Sequence, residues 1–335
     1  MNAGKRRRTE NATEVAMQLF LATGHGFAAY EGAGEHWQAL RHGLESHHVT
    51  CISRQGDLLL AGTHSGIFRS TDRGRNWKQP RREPEVSHLR WLLCHPERNG
   101  LALAGTEPAA IFYTEDGGQT WTECPEVAEL RDRGGWYLPY SPRAGCVRGF
   151  AVHGPRAYAA VEQGGMLYST DYGKSWQLVG GSAGDTTHRP PPALHPDVHS
   201  VTVHGSSRDL VFAPTGGGFY RSRDGGETWD LLYNCYCRAV WVDPEDPSHM
   251  VLGPADGVSS NGRIEVTQDA GRTWQRASAG LDVPWPDRMV DRFVRAGDHL
   301  FALLSDGRML ASPVDELSWR TVLPDVHSAE AMVNA

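Results

Sequence analysis

The sequence predicts an all-β fold, a seven-bladed β-propeller of four-stranded antiparallel blades. Two observations lead there. The eight-residue phrase S/T-x-D-x-G-x-T/S/N-W occurs five times in 335 residues, at Ser70–Trp77, Thr114–Trp121, Ser169–Trp176, Ser222–Trp229 and Thr267–Trp274. Its aspartates, Asp72, Asp116, Asp171, Asp224 and Asp269, are spaced by 44, 55, 53 and 45 residues, a period that belongs to solenoids and propellers. Two degenerate copies bring the count to seven: Tyr30–Trp37 keeps a Gly and the Trp, and Ala311–Trp319 keeps the Trp.

The strands follow in order. Short β runs precede each phrase, as at Gly66–Arg69, Ala110–Tyr113, Gly165–Tyr168 and Gly218–Arg221. Ahead of these come Leu58–Gly62, Leu101–Gly105, Ala157–Val161 and Leu210–Ala213, and ahead of those Val49–Ser53, Leu89–Cys94, Val147–His153 and His199–His204. A fourth strand follows each Trp, which completes one blade. Within the phrase, the Asp accepts N–H groups of its own turn, the Gly takes positive φ, and the Trp packs beneath the turn. The first repeat lacks an innermost strand, and one strand, Ala329–Asn334, is left over at the end. The prediction is that it completes the first blade and closes the ring.

The totals exclude several classes. A net charge of −7 argues against a general nucleic-acid surface. The basic run Lys5-Arg6-Arg7-Arg8 lies in residues 1–14, expected to be a disordered polar leader ahead of a single propeller domain at 15–335. No apolar run reaches the ~18 residues of a membrane span. The six cysteines have no disulfide framework spacing, and a cytoplasmic location is expected. Cys235 and Cys237 are read as ordinary buried thiols.

The repeated phrases resemble Asp-boxes, or BNR repeats, as found in sialidases, sortilin-type receptors, xyloglucan hydrolases and the photosystem II assembly propellers of cyanobacteria. A closer resemblance spans nearly the whole chain. It is to bacterial intracellular WD40/YVTN/BNR-like repeat proteins, also labelled glycosyl-hydrolase-like, and is carried by Ala104–Ala109, His88–Trp91, Val161–Gly165 and Asp197–Ser200. It implies the propeller fold and no settled reaction. Sialidase chemistry is not carried over: that family uses six blades and a tyrosine nucleophile, which finds no counterpart here.

In a propeller, the starts of the innermost strands and the turns after the second strands share the funnel face, opposite the Asp-boxes. This sorting gathers Glu107, Glu162, His199 and His88 as candidate catalytic acids and bases. It sets Arg90, Arg148, Arg238 and Arg292 around the axis, where cations need acids or an anionic ligand between them. Three long insertions, Glu126–Gly145, Gly180–Pro196 and Ala279–Arg288, are expected to cap the funnel, with Trp136, Tyr137 and Trp285 facing a substrate. His25, His64, His88, His199 and His327 are expected to converge, and such imidazoles with a carboxylate suffice for Zn²⁺, Fe²⁺ or Mn²⁺. Three readings stay open: a hydrolase or lyase acting on a small anionic or sugar-like molecule, a protein-binding assembly scaffold, and a metal-dependent enzyme.

Overall fold

Seven sheets follow one another along the chain in a computed structural model that describes residues 16–34, 36–81, 88–140, 144–182 and 193–334. The leader expected at 1–14 lies outside the described residues. Six sheets have four antiparallel strands. The second has three, Val49–Gln55, Leu58–Thr63 and Gly66–Ser70, and its fourth is reduced to one bridge between Arg69 and Lys78. Pro80, with no N–H to donate, follows two residues later.

The expected closure is present. Ala329–Asn334 pairs with Met17–Thr23 as the innermost strand of blade one, in register from Leu19–Asn334 to Thr23–Ala329. The first and last segments of the propeller thus share one sheet, and the inner edge of Met17–Thr23 is paired instead of open. Blade five departs from expectation. Its innermost strand is short, Thr202–Val203, instead of running from His199 to His204. The partner strand Val211–Thr215 carries Pro214, which cannot donate to a ladder, and contact resumes only at the Val198–Thr215 bridge.

The apolar core is seven clusters, one at each junction between neighbouring blades. Each repeat's Trp enters the junction with the preceding blade: Trp121 packs with Leu60 and Trp229 with Tyr158 and Val179. The degenerate copies do the same, Trp37 against Phe301 of blade seven and Trp319 by donating its indole N–H to the Ala277 carbonyl after blade six at 2.8 Å. What the degenerate repeats retain is therefore the residue that cements the junction, and what they lose is turn chemistry.

That turn chemistry is uniform elsewhere. Asp224 Oδ1 accepts the Ser222 hydroxyl at 2.7 Å and the Thr228 N–H at 2.9 Å, and Oδ2 accepts the Thr228 hydroxyl at 2.6 Å. Ser222 Oγ accepts the Gly226 N–H at 2.8 Å, and Gly226 sits at φ +102°, where a side chain is strained. The aspartates are consumed by their own turns, so a catalytic role for them is not needed to explain the repeat.

Candidate functional site

Each innermost strand carries a register shift near its funnel end. One extra residue interrupts the ladder at Glu330, Thr50, Arg90, Arg148 and Asp291 in blades one, two, three, four and seven. In blade five the shift falls between Val198 and Thr202, and in blade six between Cys237 and Val240. A β-bulge re-aims a side chain and ends pairing. Repeated round the ring, it turns one residue per blade into the funnel: Glu330, Thr50, Arg90, Arg148, Ser200, Arg238 and Asp291 all line a cavity of about 490 Å³. Trp91, Tyr140, Glu162, His199, Tyr236, Val258 and Arg292 complete its wall.

The four arginines differ in their partners. Arg148 Nη1 donates to Glu162 Oε2 at 3.2 Å, Arg238 Nη1 to Asp291 Oδ1 at 2.9 Å, and Arg90 Nε lies 3.7 Å from Glu107 Oε2. Burial disfavours the charge on Arg148 and Arg238, but their carboxylates more than offset it and hold both above the ordinary arginine value. Arg292 has no ion-pair partner among the described residues and instead lies over the Trp91 ring, 3.9 Å from its centre. Burial, with the Arg148 and Arg90 charges against the pull of Cys51 and Asp291, lowers it to about 10.

Glu162 stands between Arg148 and Tyr140, whose hydroxyl donates to Glu162 Oε1. Tyr140 is 62% exposed as a whole, and desolvation of its hydroxyl end together with the Glu162 charge pushes the phenol above its usual range. Opposite, His199 Nδ1 faces the Cys237 carbonyl at 2.8 Å, while Nε2 faces Asp197 Oδ2 at 3.2 Å and the Tyr236 hydroxyl at 3.4 Å. Burial works to raise the Asp197 carboxyl, yet His199 and its hydrogen bond hold it below the usual range.

Glu107 is buried beside Arg90, with His88 Nδ1 at 3.9 Å, and is not among the residues lining the cavity. His88 belongs to a row of rings: His64 lies 4.3 Å from His88, and His48 stacks on His64 at 4.5 Å and bonds Glu330 at 3.0 Å. The expected convergence of five histidines is corrected accordingly. His64 and His88 sit in this row, His25 and His327 are exposed on turns of the rim, and His199 is held apart by Asp197 and Cys237. Among the described residues, the ligand atoms close enough for one ion belong to Glu162, Asp197 and His199.

The aromatic caps are also corrected. Trp136 is 2% exposed and packs with Val147, Val161 and Ile111 at the junction of blades three and four, over Gly164 and Gly145. Tyr137 is 57% exposed and lines no part of the cavity. Trp285 is buried between blades six and seven, and its backbone exchanges hydrogen bonds with Gly262. The first insertion begins as a helix, Pro125–Gly134, tied to the Asp-box rim through Glu126 Oε1, which accepts the Trp176 N–H at 2.8 Å. Among its described residues, Tyr140 lines the funnel. His188 and Arg189 in the second insertion lie outside the described residues.

Sequence reasoning missed Trp91, Tyr236 and Asp197. A signal existed for two of them. In extended chain, residues two apart share a face, and Asp197/His199, Tyr236/Arg238 and His88/Arg90 all have that spacing.

Comparisons with known proteins fit this architecture. The Sortilin-Vps10 family (sortilin, neurotensin receptor 3) matches residues 65–184, and the BNR/Asp-box repeat matches residues 220–231. A probable oligoxyloglucan-reducing end-specific xyloglucanase of Neosartorya fischeri is 24% identical over 214 residues, 52% of this chain, which spans 25% of that relative's length. The photosystem II assembly lipoprotein Ycf48 of a Synechococcus strain is 24% identical over 301 residues, 84% of this chain and 77% of that protein. A solved structure of YCF48 bound to D1 peptide superposes with a TM-score of 0.59 at 18% identity, covering 92% of this chain and 97% of that one. The chain is a seven-bladed β-propeller of Asp-box (BNR) repeats.

Proposed function

We propose that the funnel binds a small anionic molecule, a carboxylate-bearing sugar being the class that suits it best, and acts on it as a hydrolase or lyase. The observation that carries this reading is Arg292, a half-buried cation without a carboxylate partner among the described residues, laid on the Trp91 face inside the cavity. A guanidinium in that setting gains most from a planar anion that meets its free edge. Tyr236 adds an apolar face of the kind a sugar ring packs on. Glu162, with Tyr140 donating to it, supplies a carboxylate and a hydroxyl at the same wall for proton transfer.

The test begins with binding. Uronates, sugar phosphates and sugar sulfates are screened by calorimetry against the native protein and Arg292→Ala. A ligand bound by the former and lost in the latter supports recognition, and bond cleavage abolished in Glu162→Gln supports the enzyme. If no anion binds, the reading is dropped.

A second reading is favoured by the extent of the likeness to Ycf48, most of both chains. On it the propeller is a scaffold, and the arginines receive the terminal carboxylate of a protein partner. Retention of a carboxylate-ended peptide that is neither cleaved nor displaced by sugars would select it.

A further inference from the structure

We propose that Glu162, Asp197 and His199 form a site for one divalent first-row transition-metal ion at the funnel wall. The hydrogen bonds on His199 lead there. The Cys237 carbonyl only accepts, so His199 Nδ1 donates to it at 2.8 Å. With the ring neutral, the lone pair sits on Nε2, between an Asp197 carboxylate oxygen at 3.2 Å and the Tyr236 hydroxyl at 3.4 Å, the longer and weaker contact. The Nε2 and Asp197 lone pairs, 3.2 Å apart, need a positive centre between them. A proton on Nε2 makes the His199–Asp197 hydrogen bond, but it satisfies Nε2 and Oδ2 only. It would leave Asp197 Oδ1, a buried atom with no hydrogen-bond partner among the described residues, unsatisfied. It would also leave unexplained why a Glu162 oxygen lies within 4.8 Å of the other two ligand atoms.

A metal ion accounts for all three. A carbonyl-oriented imidazole is the usual form of a ligating histidine. The chain makes room for Asp197, since a Cβ on Gly216 would lie 2.2 Å from Oδ2. Arg148 and Tyr140 fix the Glu162 carboxylate and leave each oxygen a second lone pair. One imidazole nitrogen with carboxylate oxygens suits Mn²⁺ or Zn²⁺. Three protein ligands leave coordination positions open toward the cavity.

Chelator-stripped full-length protein is titrated with Mn²⁺ and with Zn²⁺, and bound metal is counted after desalting. About one ion per chain is expected. In Asp197→Asn and His199→Gln, affinity is expected to fall by more than about 100-fold, because losing even a residue that only orients a ligand costs roughly 10–100-fold. The double variant His48→Gln/His64→Gln, which removes part of the ring row, should bind as before. No uptake of either ion by the native chain overturns the proposal, as does uptake unaffected by both ligand variants. Should those variants fail to fold, X-ray absorption on the Zn²⁺-loaded native protein decides. A single imidazole among oxygens supports the site, and two or more imidazoles overturn it. Anion affinity is measured separately on stripped protein, so loss of this inference leaves the funnel's ligand reading intact.

Discussion

Arg292 of blade seven lies 3.9 Å from the centre of the Trp91 ring of blade three, and these blades are not neighbours in the ring. The contact therefore crosses the propeller axis. Both residues line the 490 Å³ funnel cavity and a second cavity of about 240 Å³ walled by Leu92, Thr202 and Val294. Ser200, Arg238 and Asp291 line both cavities as well, so the pair belongs to the wall that the two share.

A half-buried cation without a carboxylate partner costs stability that function can recover. Arg292→Met is expected to raise the stability of the unliganded protein by about 1 kcal/mol while abolishing anion binding. Trp91→Ala should weaken binding as well, by ~0.5–2 kcal/mol for the lost ring–cation contact. Denaturant unfolding and calorimetry read the two effects separately, and a destabilised Arg292→Met would contradict the account.

Trp136 and Tyr137 should part company. Trp136→Ala empties a filled junction and is expected to cost about 3–5 kcal/mol, whereas Tyr137→Ala should stay within about 0.5 kcal/mol of the native protein. Equal effects in thermal melts would show that the insertion is not organised as described.

Acid should unfold the propeller through its turns. Partial burial works to raise Asp116, Asp171 and Asp224, but hydrogen bonds from the turn more than offset it, and all three are held below the usual carboxylate range. A carboxylate whose folded value lies below its unfolded one stabilises the fold above the unfolded value, and that contribution is lost as pH falls through the folded value. Stability is therefore expected to drop below about pH 4, where free aspartates begin to protonate. Asp171→Asn should shallow that dependence in a melting-temperature series, and an unchanged slope would remove the turn from the explanation.

The thiols offer a measure of packing. Five of the six cysteines are buried and Cys235 is half-buried, and burial pushes Cys51, Cys94 and Cys146 up to about 11. At pH 8, roughly one in a thousand of those three is thiolate, the reactive form. A thiol reagent should label Cys235 first in the native state and all six only after unfolding. Rapid labelling of Cys51 or Cys146 would mean that the funnel wall opens.

Removal of residues 329–335 takes away the strand that pairs with Met17–Thr23 and exposes its edge. The truncated chain is expected to lose its cooperative melt and to aggregate in size-exclusion chromatography. A monomer with a native melt would show that closure is not what holds the ring.

Much of this architecture is legible in one dimension. The Asp-boxes are local: Ser222, Asp224, Gly226 and Thr228 satisfy one another within a single turn, so their spacing reveals both turn and period. The spare strand at Ala329–Asn334 is readable too, since a counted set of blades leaves one strand unpartnered. The funnel residues are readable in part, because antiparallel order assigns strand starts to one face. Yet Asp291, not Arg292, is the bulged residue of blade seven, and a bulge depends on how two strands pair.

Tertiary structure alone decided the rest. Trp136 and Trp285 carry the same aromatic signal as Trp91, but two fill junctions and one faces the cavity, because only the neighbouring blades determine which side of an insertion is covered. The Arg292–Trp91 contact and the approach of Glu162 to His199 join different blades. No local rule couples such positions; ring closure sets their distance, and with it which charges meet a partner and which await one.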